Sequence, residues 1–318
     1  MDCQWVRFTS CLLSKCSASD FDNLFYDRRA VANAVSEPIK HHFVPQFYLR
    51  GWAANDGRIP FCMRANSGAL VTGSVMPDAT AFENSLYSFE KVPKEKRQEV
   101  EKKFFAEKVD SRAAPVMAKL LRNEPLTQEE RIDWAVFLIA SRLRIPEIVK
   151  NLKKSAPDEL RKNLVYTPEE LESLKGDLGD DPPTLLEWTE KTFVGLIDNS
   201  GMMMLPSIIT DPEHIDRFLK LTWWVRDVRT SSVSLLTADR PVWVWGGINS
   251  PVLTMALPLS PTKLFLATRS KETREASERW SDNRLARLAN ESLVRQADRF
   301  VYGDAVSAFV GKHLRMRP

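Results

Sequence analysis

The chemistry-bearing residues of this chain are most concentrated at His41-His42-Phe43-Val44-Pro45-Gln46-Phe47-Tyr48-Leu49-Arg50-Gly51-Trp52. Imidazole ionises near neutrality, so a histidine pair offers acid–base catalysis or metal ligation. Adjacent side chains point to opposite faces of a strand and diverge by about 100° on a helix. The two rings therefore do not share one metal easily. His42 is taken as a general acid/base. The plainer alternative is that it caps the helix that Pro45 begins, or satisfies a buried carbonyl.

Other candidates lie far along the chain. Thr237-Ala238-Asp239-Arg240-Pro241 puts an acid at a strand end beside a proline, a rigid way to present a carboxylate. Asp239 is the expected partner of His42 or a metal ligand; the alternative is an Asx-turn. Asn290 stands beside an apolar helix face, where an amide needs a partner. Ser260, bracketed by Pro258 and Pro261, is either fixed for a substrate or ends a strand. Arg144, with Arg142, binds an anion or pairs with acids on the neighbouring helix, the second being the safer reading. Tyr48, Arg144 and Ser260 are taken as substrate-binding, and His42, Asp239 and Asn290 as catalytic. Glu101-Lys102-Lys103 matches the E-x-K half of a restriction-type nuclease site, in which a carboxylate holds a divalent metal. Glu101 and Glu107 are accordingly the candidate metal ligands, although a solvated helix face is the simpler explanation of the triplet. The opening stretch superficially resembles the start of an HNH nuclease, but no histidine follows between His42 and His214 to complete that site.

Absent motifs narrow the field. There is no G-x-S-x-G elbow, no phosphate-binding G-x-x-x-x-G-K-[ST], no G-x-G-x-x-G and no H-E-x-x-H. Lys+Arg 45 against Asp+Glu 42 leaves a net charge of +3, too even to argue for nucleic acid from charge. The four cysteines, Cys3, Cys11, Cys16 and Cys62, lack the spacing of a zinc site and read as free thiols of a reducing cytosol. No apolar run approaches the ~18 residues of a membrane span, and no secretory pattern opens the chain. The expectation is a cytoplasmic protein with no membrane partner.

These residues must be positioned by recognisable elements. Residues 1–36 show no sustained period and are expected to form a poorly ordered arm; a start placed too far upstream is the other reading. Pro45 suits the first turn of a short helix. Residues 58–64 and 70–75 flank Asn66-Ser67-Gly68 as a hairpin, and 84–89 adds an extended piece. Residues 94–122 carry an apolar stripe near the helical period, with Pro115 expected to kink or split it. Thr127 and Glu130 form a capping box for a second helix ending near Pro146, and short linkage makes the two antiparallel neighbours. Residues 150–183 are charged and rich in Pro and Gly, and read as a surface excursion containing a helix start at Thr167-Pro168-Glu169-Glu170. Helices follow over about 183–204 and from Asp211-Pro212. Five short β-rich runs lie between 221 and 268, and a helix spans about 281–297. Val242 and Val244 alternate with Trp243 and Trp245, which predicts a strand covered on both faces.

Together these segments resemble the bacterial domain-of-unknown-function 4238 family. The resemblance rests on His41–Arg50, on Glu83-Asn84 with Tyr87, and on Glu101 and Glu107. It continues through Arg144-Ile145-Pro146, Thr237–Pro241 and Pro258–Pro261, and closes with Asn290 and Ala297 before Val301-Tyr302. It covers about residues 40–303. Ala238 departs from it, since the family more often places a serine before the aspartate. The resemblance implies membership and carries no activity. The expected fold is a single α+β domain over 37–318: an N-terminal motif and hairpin, a mostly helical middle over about 94–221, and a C-terminal antiparallel sheet closed by a helix. The expected function is an intracellular bacterial hydrolase with a His/Asp-based site, acting on nucleic acid in one version, with a divalent metal as its conceivable cofactor. The alternatives are a non-enzymatic binding or regulatory module, and a toxin or phage-defence component.

Overall fold

The structure, a computed structural model, describes residues 39–178, 183–247, 250–304 and 307–314. The arm expected over 1–36, with Cys3, Cys11 and Cys16, lies outside the described residues. The chain divides into two compact units. One contains residues 85–104 and 147–208. The other contains Lys40–Asn84, Phe105–Pro146 and the chain from Ile209 onward.

The first unit is helical. Where the charged region suggested a surface excursion, Pro146–Asn163 is a helix that buries Val149, Leu152 and Ala156. Its charges occupy the wet face, while apolar residues at helical spacing seat it. The helix Pro168–Leu178 starts at the predicted cap, with Thr167 and Glu170 bonded reciprocally. The single helix expected over 183–204 is two, Leu185–Thr192 and Leu196–Ile209. The break falls at Gly195, whose φ of +86° is not a helical value. Gly201 lies where an added Cβ would stand 2.6 Å from the Leu152 carbonyl oxygen, so the helices Leu196–Ile209 and Pro146–Asn163 touch backbone to backbone. Asn199, buried, accepts from Glu90 N and donates to Glu90 O, both at 2.7 Å, pinning the preceding segment.

The second unit carries the sheets. Strands β1 (Lys40–His42) and β4 (Phe82–Asn84) pair antiparallel. The predicted hairpin forms as β2 (Ile59–Arg64) and β3 (Leu70–Val75). It does not stand alone. With β10 (Phe300–Tyr302) and β6 (Thr237–Ala238) it makes a four-stranded sheet in the order β3-β2-β10-β6. The second four-stranded sheet, β5-β9-β8-β7, joins β5 (Thr222–Asp227), β7 (Trp243–Trp245), β8 (Thr254–Ser260) and β9 (Lys263–Thr268). So the expected C-terminal sheet is two antiparallel sheets, one of which recruits the N-terminal hairpin. The α+β class is as predicted.

One helix serves both sheets. Asp282–Gln296, started by Ser281, packs Leu285, Ala286 and Ala289 with Val228, Leu235 and Leu264, and Leu293 and Val294 with Cys62, Leu236 and Val301. Residues 232–236, expected as strand, run irregularly toward β6 under its amide hooks. The exposed face of β7 ends at Trp245, which is 60% exposed, so that strand is not covered on both sides as its composition suggested. Helices Lys271–Glu278 and Ser307–His313 went unpredicted.

The long helix departs from expectation at its start. Val100–Asp110 is π-type, with a wider turn than an α-helix, and Ser111–Leu121 continues it as α-helix. Pro115 neither ends nor splits it; the change of helix type falls one turn earlier, where the proline ring would crowd the Ser111 carbonyl. Gln128–Leu143 then begins with the predicted capping box, Thr127 N donating to Glu130 Oε2 at 2.8 Å. Its residues 134–141 are all buried, so this helix is the core of the unit rather than its wall.

Candidate acid–base site

The opening stretch does two separate things. From Phe47 on it is a wedge. Gln46–Leu49 is a single helical turn that tightens into a 3-10 turn over Arg50–Trp52. The Tyr48 hydroxyl donates to Pro258 O in β8 at 2.8 Å and meets Thr237 Oγ1 in β6 at 2.7 Å, tying the two sheets together. Trp52 Nε1 donates to Leu235 O at 2.9 Å. Burial pushes the Tyr48 phenol far above its ordinary pKa.

Ahead of the wedge, β1 presents the histidines to opposite faces, His41 buried and His42 half-buried. The His42 ring lies against Phe82, centroids 5.7 Å apart. The Asp78 backbone carbonyl lies near the ring and favours its protonated form, while Nε2 is shielded from water and meets no hydrogen-bond partner among the described residues. A neutral ring that carries its proton on Nδ1 leaves the Nε2 lone pair available. Burial lowers the pKa of the ring; the Asp78 carbonyl and the charges of Asp78 and Asp110 oppose this, and Lys40 reinforces it. Lys40 is held over the Phe82 ring at 4.6 Å and donates to the same Asp78 carbonyl at 3.3 Å.

Asp110 closes the π-type helix, and Arg144 caps the helix Gln128–Leu143. Arg144 Nη1 donates to Asp110 Oδ1 at 2.9 Å, with the arginine side chain fully buried and the aspartate 24% exposed. The guanidinium is flanked by the rings of Phe105 at 5.6 Å and Phe137 at 5.7 Å. Burial pushes the Asp110 carboxyl up, while Arg144 and then His42 pull it down. An imidazole with a free lone pair, a carboxylate of raised pKa and a fixed cation thus act on one another. Such a set can take a proton from a hydroxyl or water and return it to a leaving group.

The expected residues divide accordingly. Arg144 pairs with an acid on the neighbouring helix, the safer of its two readings. Asp239, expected beside His42, is not among the charges that act on that ring. Its carboxylate accepts from the backbone amides of Asp298 (2.9 Å), Arg299 (2.6 Å) and Phe300 (2.8 Å), a turn-holding arrangement. Burial nonetheless pushes its pKa up to about 6. Asn290 accepts from Leu236 N at 2.9 Å and donates to Ser234 O at 2.8 Å, so its amide is matched on both sides by the irregular approach to β6. Ser260 Oγ accepts from Lys263 N at 3.1 Å in the turn between β8 and β9. Glu107 is exposed, and its backbone carbonyl accepts from the Ser111 hydroxyl. Glu101, partly buried, lies one turn of π-type helix earlier. Among the described residues no group of three or more His, Cys, Asp or Glu side chains comes together as a metal site. Asp110 and Asp78 were not anticipated. The only signal for Asp110 was the expectation that Arg144 would find an acid on the antiparallel helix.

An α+β protein with a half-buried histidine near an aspartate that a buried arginine holds is the class that this fold and these residues define. The chain belongs to the family described as "Protein of unknown function (DUF4238)", whose match covers residues 40–306. No curated protein and no solved structure matches it. No single helix among the described residues is long and apolar enough to cross a membrane.

Proposed function

We propose that the chain is an intracellular bacterial hydrolase in which His42 Nε2 is the general base, with Asp110 and Arg144 setting the charge around it. The supporting observation is the half-buried ring, whose Nε2 has no partner among the described residues and on which the Asp78 carbonyl and the Asp78 and Asp110 charges act. In this reading Asp239 and Asn290 are positioning residues, holding β6 and the turn into β10, and Tyr48 holds the sheets to which the wedge is fastened. Glu101 and Glu107 would be carriers of a divalent ion only if a substrate brought further oxygen ligands.

The test is a panel of ester, amide, phosphomonoester and single-stranded DNA and RNA substrates turned over by the full chain and by His42→Gln. We expect one substrate class to be hydrolysed, with a loss of at least about a hundredfold in His42→Gln, the usual weight of a positioned acid–base group. Turnover unaffected by the substitution sinks the reading.

A binding or regulatory module is the second reading, favoured by the burial of Nε2 itself: a catalytic base must be reached, a structural one need not. It predicts no turnover of any substrate and loss of folding, rather than of rate, on substitution of His42. A toxin or phage-defence role is compatible with either and has no residue of its own to support it.

A further inference from the structure

Away from His42, the second unit contains a cleft of about 280 Å³. It is lined by Leu120, Asn123, Glu124, Leu126, Arg131 and Trp223, among others. Arg131 stands in the first turn of the helix whose far end carries Arg144, roughly 20 Å away along the axis at 1.5 Å per residue. The cleft is thus separate from the proposed acid–base set.

The walls are fixed by local structure. Helix Ser111–Leu121 ends in a left-handed cap: Asn123, at φ +57°, donates its amide to Leu120 O at 3.1 Å, and Glu124 N donates to Lys119 O at 3.0 Å. That cap turns Asn123 and Glu124 into the cleft. Glu124 is already taken in a two-point ion pair by Arg122. Trp223, on β5, has its indole N–H bonded to Phe218 O at 3.1 Å, which fixes the ring in the cleft wall.

Arg131 is the anomaly. Its guanidinium lies over the Trp223 ring at 4.0 Å, and Nη2 donates to Leu219 O at 3.1 Å. Among the described residues no carboxylate is paired with it, and burial is the sole influence on its ionisation, lowering it. A partly desolvated cation without a counter-ion is costly unless something supplies the anion. One end of the cleft therefore offers a guanidinium, and the rest offers Leu120, Leu126 and an aromatic face.

We propose that this cleft binds a small organic monocarboxylate, its carboxylate on the remaining N–H groups of Arg131 and its apolar or aromatic body against Leu120, Leu126 and Trp223. The volume is at the small end of ligand sites and admits about ten non-hydrogen atoms rather than a nucleotide or a peptide. A planar carboxylate matches the guanidinium fork in a way a solvated chloride does not.

The test is calorimetric titration of the full chain with benzoate and, in parallel, with benzamide, which has the same shape and no charge. We expect benzoate to saturate with Kd at or below about 1 mM and benzamide to bind at least tenfold more weakly. Arg131→Met should reduce benzoate affinity at least tenfold, and Leu126→Trp, which fills the cleft without touching the cation, should do the same. Absence of saturable benzoate binding up to the order of 10 mM, or equal affinity for benzoate and benzamide, overturns the proposal. The benzoate–benzamide comparison uses the unaltered chain, so it decides the matter even if a variant does not fold.

Discussion

Asp239 and Asp110 have different kinds of neighbours. Asp239 is surrounded by three amide donors, Asp110 by a guanidinium and an imidazole. Removing the first should be a stability event: Asp239→Ala leaves three part-buried hydrogen bonds unmade, a cost of about 3 kcal/mol by urea denaturation. Its ionisation adds a pH signature. The folded carboxyl titrates at about 6 against 3.8 for the ordinary group. The folded state therefore holds the proton more tightly, and the stability this contributes is fully present below about pH 3.8 and lost as pH rises through 6. Asp239→Asn should remove that part of the slope of urea midpoint against pH between 4 and 7; an unchanged slope would show that the carboxyl is not the titrating group. Arg144 differs, because it leaves a carboxylate behind. Arg144→Met should cost about 3 kcal/mol, and Asp110→Asn less, since the amide oxygen can still accept from Nη1. If Arg144→Met unfolds at the same urea concentration as the parent chain, the pair is not holding the helix end.

Elements were legible wherever one short signal decided them. The Thr127 and Thr167 capping boxes, the Asn66-Ser67-Gly68 hairpin and the Asp211-Pro212 helix start are all present where their residues put them. Elements decided by contact with distant chain were not. Residues 150–163 looked like surface because half are charged, yet a stripe of Val149, Leu152 and Ala156 is enough to seat a helix. β6 shrank to two residues because Asn290 takes up Leu236 N and Ser234 O in place of a strand partner. The recruitment of β2 by β10 joins residues more than two hundred positions apart, which no local period can encode. Gly201 gives this scale its test. In an exposed helix interior, Gly→Ala stabilises by about 1 kcal/mol. At Gly201 the new methyl group would stand 2.6 Å from the Leu152 carbonyl oxygen, so Gly201→Ala should instead destabilise by about 1–3 kcal/mol as an overpacked contact. A thermal melt showing stabilisation would mean that the two helices do not approach as described.

At the scale of the molecule, the opening motif is better understood as two devices in sequence. Tyr48 and Trp52 fasten the two sheets, which accounts for the aromatic density that first drew attention. His42 stands just before them, on a two-stranded sheet of its own, beside the Asp78 backbone carbonyl. Asp110 is one of the charges that act on His42, and Arg144 holds that acid at the end of the core helix. Sequence could mark the ring; only the packing of the π-type helix against that core could choose the acid. The most direct test is nitrogen-15 NMR of the histidines in the full chain, with His42 assigned by His42→Gln, titrated from pH 4 to 8 in parent and Asp110→Asn. The account predicts a His42 ring protonated at Nδ1 and neutral at pH 7, a pKa below the ordinary value, and a further downward shift when the Asp110 charge is removed. A ring protonated at Nε2, or a pKa that Asp110→Asn leaves unchanged, would contradict it.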